Sequence, residues 1–165
     1  ILELIKDLRR DFGTSVITIT HDLGVVAGMA DRIIVMYAGR VMEEAPANEL
    51  FHHPAHPYTV GLLRSVPRLD RGAKDELIPI EGKPPDTSEE IPGCPFAERC
   101  PWAIDKCTDE FPPAFEFDDG HRAHCWRAEE VYESDLGAKA SPEHVRDIEE
   151  RARQGESFET GGGDE

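Results

Sequence analysis

Val16-Ile17-Thr18-Ile19-Thr20-His21-Asp22-Leu23, followed by Ala30-Asp31-Arg32-Ile33-Ile34-Val35-Met36, is the stretch on which the fold turns. Its first half is β-branched and nearly continuous in apolar character, the composition of a strand buried on both faces. His21-Asp22 ends the run, and Asp22 is placed to cap a helix from Leu23 to about Ala30. A second strand over Arg32–Met36 enters Tyr37-Ala38-Gly39-Arg40 and returns through Val41-Met42-Glu43, with the Ala-Gly pair as the hairpin turn. Upstream, Ile1, Leu4, Ile5 and Leu8 recur at helical spacing among charged Glu3, Lys6, Asp7, Arg9 and Arg10, and Gly13 stops that helix. The order helix–strand–helix–strand predicts an α/β domain whose sheet edge is closed by a hairpin.

From Pro46 onward the character changes. Asn48 is placed to cap a short helix through Leu50-Phe51-His52, which His53-Pro54 ends. His56-Pro57-Tyr58-Thr59 opens another helix with Tyr58, Leu62 and Leu63 on its apolar side, stopped by Pro67. Residues 68–93 are polar and turn-rich, and Lys83-Pro84-Pro85-Asp86 is incompatible with regular helix. A Pro- and aromatic-rich segment holding all four cysteines follows. After Ala128 charge dominates, with a helix expected from Ser141-Pro142-Glu143 to Arg153 and a flexible end at Gly161-Gly162-Gly163-Asp164-Glu165.

Bulk composition narrows the function classes. The 165 residues suffice for one compact domain with appendages, and the formal charge of -16 excludes a nucleic-acid surface, which needs clustered Lys and Arg. Arg outnumbers Lys 13 to 5 against 34 acids, a balance that suits a surface adapted to high intracellular salt or, more simply, an acidic tail. No apolar run approaches the roughly 20 residues that cross a bilayer. The opening Ile1-Leu2-Glu3-Leu4-Ile5, without Met or signal pattern, predicts a piece cut from a longer chain.

The cysteines run Cys94-x5-Cys100-x6-Cys107-x17-Cys125. With no secretory signal, a disulfide scaffold is not expected, and four thiolates suit either tetrahedral Zn²⁺ or an iron–sulfur cluster. Zinc sites favour tighter knuckles than any pair here, and the wide spacing leans towards [4Fe-4S]. His121 and His124 flank Cys125 as substitute ligands if zinc is right. The plainer reading is four unligated thiols, two of them helping to pack Phe96, Trp102 and Trp126. Against it, a segment poor in aliphatic residues needs a metal or cluster to order it, in a structural rather than a redox role.

Thr18-Ile19-Thr20-His21-Asp22-Leu23 with Ala30-Asp31-Arg32-Ile33-Ile34-Val35-Met36 resembles the nucleotide-binding domains of ABC transporters. The segments Asn48-Glu49-Leu50-Phe51, His56-Pro57-Tyr58-Thr59 and Ile91-Pro92-Gly93-Cys94-Pro95-Phe96 through Arg99-Cys100-Pro101 resemble the C-terminal extension of the dipeptide, oligopeptide and nickel import branch. The resemblance covers about residues 1–127. It implies the C-terminal part of a P-loop nucleotide-binding domain over 1–45, an irregular cluster- or metal-stabilised extension over 46–127, and an acidic tail over 128–165.

The same resemblance implies that His21 is the switch histidine, which contacts the ATP γ-phosphate and orients attacking water. It also implies that Cys94, Cys100, Cys107 and Cys125 hold the cluster. The parent would be a peptide-transporting ABC ATPase using ATP and Mg²⁺, peripheral at the cytoplasmic face of the membrane. Its partners would be transmembrane permease subunits, a second ATPase subunit and, indirectly, a substrate-binding protein. Residues 1–165 contain no G-x-x-x-x-G-K-[ST] phosphate loop, no strand ending in Asp-Glu to hold Mg²⁺ and no family signature, so this chain alone is expected to be inactive. The alternative function is a stand-alone iron–sulfur or zinc module.

Overall fold

In the computed structural model, which describes residues 2–65, 79–137, 150 and 154, helix α1 spans Leu2–Phe12 and ends at Gly13, whose φ of 62° is the left-handed cap conformation. Helix α2 is Leu23–Ala27, and the Asp22 carboxylate accepts the N–H groups of Gly24 and Val25, as the sequence predicts. Strand β1, Arg32–Tyr37, turns through Ala38 and Gly39, both at positive φ, into β2, Arg40–Pro46. That is the turn whose twist matches a right-handed hairpin.

The anticipated strand Val16–Thr20 is not formed. These residues adopt no regular structure, and Ile17 and Ile19 are 94% and 98% exposed. A strand buried on both faces exists only between neighbours, and none is present among the described residues.

Beyond the hairpin, α3 is Ala47–His52 and α4 is Pro57–Arg64. Pro46, not Asn48, occupies the N-cap of α3, because the chain leaves β2 directly into the helix and the Ala47 N–H is taken by the Asp31 carbonyl. Helix α4 ends at Ser65, and Pro67 lies outside the described residues, as does most of the helix expected over 141–153. A 3-10 turn at Ala97–Arg99 precedes α5, Lys106–Asp109, then the short strands β3, Phe115–Glu116, and β4, Arg122–Ala123, and helix α6, Ala128–Glu133.

The four strands form one antiparallel sheet in the order β1-β2-β4-β3, so β2 lies inside it. The architecture is therefore mixed α/β with an antiparallel sheet. A bulge between Val35 and Met36 leaves Met42 as the extra residue of β2. Two consecutive side chains, Met42 and Glu43, thereby turn inward where strict alternation permits one. Met42 joins Tyr37, Cys94, Phe96, Ala97 and Cys107 in one apolar cluster, while Ile33, Val35, Ala45 and Leu50 form another on the same sheet. Within the charge-dominated stretch after Ala128, Val131 and Leu136 bury against Val60 and Trp102.

Candidate four-thiol site and the position of His21

The four cysteines come from separate pieces of chain that the core brings together. Cys94 and Cys107 sit side by side, the N–H of Cys94 donating to the Cys107 carbonyl at 2.7 Å. The approach is so close that a Cβ on Gly93 would stand 2.2 Å from the Cys107 carbonyl oxygen, which only glycine permits. Cys100 packs on the same cluster, and its thiol faces those of Cys125, Cys94 and Cys107 electrostatically. Cys125 follows β4 and packs among Ala55, Ala123 and Ala128. All four are free thiols, three buried and Cys100 partly so.

Three of these sulfurs are targets of backbone amides. Cys94 accepts from Phe96 and Ala97, Cys100 from Trp102, and Cys125 from Arg127 at 3.4 Å. Such bonds favour the thiolate. Burial works the other way and is the larger effect: it pushes Cys94 up to about 11 and raises Cys100 and Cys125 strongly. The sulfurs are dressed for charge yet too deeply buried to carry it unaided.

Cationic side chains stand around this region. Arg40 donates to the Ile91 carbonyl at 2.8 Å and lies over the Phe111 ring, bridging the arms before Cys94 and after Cys107. Arg99 spends three donors on the carbonyls of Ile80 and Glu81 and on the Tyr37 hydroxyl. Lys106 sits 3.3 Å from the Trp126 ring centroid and Arg127 over Trp102.

A second buried constellation was not anticipated from sequence. Glu43 and His121 are both 0% exposed, with His121 Nε2 2.7 Å from Glu43 Oε1, which also accepts the Ala55 N–H at 2.6 Å. The bond to Glu43 occupies Nε2 and leaves the buried Nδ1 of His121 without a hydrogen-bond partner among the described residues. His124 Nδ1 lies 3.0 Å from the Pro112 carbonyl oxygen. Among the described residues no three His, Cys, Asp or Glu side chains form a group placed to hold a metal ion, so neither the zinc nor the iron–sulfur expectation meets a preformed ion site. The one advance sign of Glu43 was an acid inside an apolar strand. Its partner, 78 positions away, left no local trace.

His21 is exposed, directly ahead of the Asp22 cap of α2 and distant in sequence from the thiols. Among the described residues no hydrogen bond, ring contact or core cluster joins His21 to the cysteines. No helix among the described residues is long and apolar enough to cross a membrane.

Residues 42–107 match the family described as oligopeptide/dipeptide transporter, C-terminal region. A probable peptide ABC transporter ATP-binding protein of Sinorhizobium fredii is 51% identical over 131 residues, 79% of this chain and 39% of the relative. An oligopeptide transport ATP-binding protein of Haemophilus influenzae is 45% identical over 80% of this chain and 40% of its own length. A dipeptide transport ATP-binding protein of Bacillus subtilis is 52% identical over 76% of this chain and 37% of its own. The chain thus spans about two fifths of the length of these curated relatives.

Proposed function

Starting from a chain that belongs to the family of ATP-binding proteins of oligopeptide and dipeptide ABC transporters, we propose that it acts within an ATP-driven peptide importer. What carries the reading is continuous similarity over some four fifths of the chain, well beyond the extension itself. A stand-alone metal module would not need that similarity. A protein of the relatives' length that carries these residues would couple ATP binding and hydrolysis, with Mg²⁺, to movement of membrane subunits. Its place would be peripheral, on the cytoplasmic face, against permease subunits and a second ATPase, with a substrate-binding protein acting indirectly.

His21 is the residue of this chain assigned to the nucleotide, its imidazole donating to the γ-phosphate. Its exposed position at the end of the apolar run Val16–Thr20 supports this reading. The residues present do not fit a whole triphosphate, for which His21 offers a single donor. In the full-length protein, His21→Ala should lower ATPase turnover by at least about a hundredfold while ATP still binds. Unchanged turnover would remove His21 from the reaction, and absence of ATP binding by the wild type would remove the transport reading.

The extension fits a cluster better than an ion. Four free thiols from separate segments, three accepting backbone N–H bonds, suit thiolates spread over a larger object than one Zn²⁺. A [4Fe-4S] group held by Cys94, Cys100, Cys107 and Cys125 would supply the positive charge that buried thiolates lack, tying the arms together. Iron, sulfide and zinc analysis after anaerobic purification decides it. Zinc without sulfide rejects the cluster, and neither metal rejects the site.

A further inference from the structure

Cys94 and Cys107 are the two thiols that the backbone itself holds together. The Cys94 N–H donates to the Cys107 carbonyl at 2.7 Å, and both side chains enter one apolar cluster with Tyr37, Met42, Phe96 and Ala97. Residues joined by such a bond stand about 5–6 Å apart at Cα, inside the range that a disulfide spans. Gly93 lets the crossing close, since a side chain there would run into the Cys107 carbonyl. Neither Cys100 nor Cys125 shares a backbone hydrogen bond with another cysteine among the described residues, and Cys125 packs in a different cluster.

Both thiols are free, with Cys94 9% and Cys107 8% exposed. So small an opening suits an oxidant the size of a peroxide and is too narrow for a bulky thiol. Burial also pushes the Cys94 thiol up to about 11, which makes the reaction slow at neutral pH.

We propose that Cys94 and Cys107 close a reversible disulfide when the metal-free protein meets peroxide, locking together the two arms that cross at Gly93. One thiolate attacks a peroxide oxygen and the O–O bond breaks, leaving a sulfenic acid and a hydroxide. The second thiolate attacks that sulfur, the S–S bond forms and a second hydroxide leaves. The two thiol protons convert both hydroxides to water; each sulfur gives up one electron and the peroxide takes two. A dithiol reverses the closure by exchange. The proposal goes beyond the transporter reading and does not need the cluster, which when bound would occupy both sulfurs and block the reaction.

Proximity along the chain favours other pairs. Cys94 with Cys100, and Cys100 with Cys107, close shorter loops, so an unfolded chain should prefer them. A preference for Cys94 with Cys107 therefore reports the fold.

The test treats the reduced, metal-free full chain with hydrogen peroxide, blocks remaining thiols with N-ethylmaleimide and maps linked peptides by mass spectrometry without reduction. In the folded chain the Cys94–Cys107 link should exceed every other pairing by at least about tenfold, the advantage of reactants held in place. In urea the shorter loops should take over. Cys125→Ser should keep the link, and Cys94→Ser should remove it without another pairing reaching the same yield. Dominance of another pair, an even scatter, the same preference in urea, or oxidation past the sulfenic acid with no link each overturns the proposal. If Cys94→Ser does not fold, the wild-type and Cys125→Ser maps decide. Iron and sulfide analysis rules separately on the cluster: a wild-type chain that binds neither rejects the cluster, and the map then still rules on the disulfide.

Discussion

Residues 3–31 and the described residues from 32 to 137 both carry apolar side chains and treat them in opposite ways. In the first region Leu4, Leu8, Phe12, Val16, Ile17 and Ile19 are exposed. In the second, Ile34, Met36 and Ile104 are the large apolar side chains among the described residues that stand clear of the core, while Ile33, Val35, Trp102, Phe96, Met42, Leu50 and Leu136 are buried. Hydrophobicity alone therefore did not decide burial. The second region has strands, caps and close backbone crossings that complete one another, whereas the first presents a strand's sequence with nothing among the described residues to pair against.

That contrast is breakable. The largest effect is expected from Glu43→Ala, which strands the buried His121 ring and the Ala55 N–H together; unfolding by denaturant should show a loss of about 3–5 kcal/mol. A loss under about 1 kcal/mol would mean the second region is not held by its interior. Gly93→Ala comes next. Its Cβ would meet backbone oxygens of Cys107 and Thr108 at 2.2 and 2.5 Å, so the two arms must part, with about 2–4 kcal/mol lost and the tryptophan emission of Trp102 and Trp126 shifted to the red.

Acid should act on the second region through His56. Its folded pKa, about 3, lies below the unfolded value near 6.5, so the unfolded chain takes up a proton that the folded chain refuses. The group's contribution is whole above pH 6.5 and shrinks as pH falls towards 3, at up to about 1.4 kcal/mol per unit. The His56→Asn variant should show a flatter stability profile across that window, and an identical slope would deny the ring its buried neutral state. The smallest effect is expected from the first region: Ile17→Ser with Ile19→Ser should leave the unfolding midpoint within about 0.5 kcal/mol of wild type. A clear loss would show that the segment packs in solution.

Much of the local structure was readable in advance, because its causes are local. The Asp22 cap, the Gly13 stop, the Ala38-Gly39 turn and the Pro57 helix start each depend on a few adjacent residues. Val16–Thr20 was misread for the complementary reason: a doubly buried strand is a property of its neighbours. The cysteines were legible as a set but not their surroundings. Glu43 and His121 meet because one extra residue in β2 shifts its register, and no count along the sequence reveals where a bulge falls.

The inner position of β2 has an evolutionary corollary. Since this one ribbon pairs with β1 on one edge and with β4, the strand just ahead of Cys125, on the other, the rear half is not a detachable cassette. Grafted onto a foreign protein from Ala47 onward, it would arrive without Met42, Glu43 or any partner for Arg122 and Ala123 besides β3. Recombination should therefore have exchanged these halves only at points upstream of the hairpin turn.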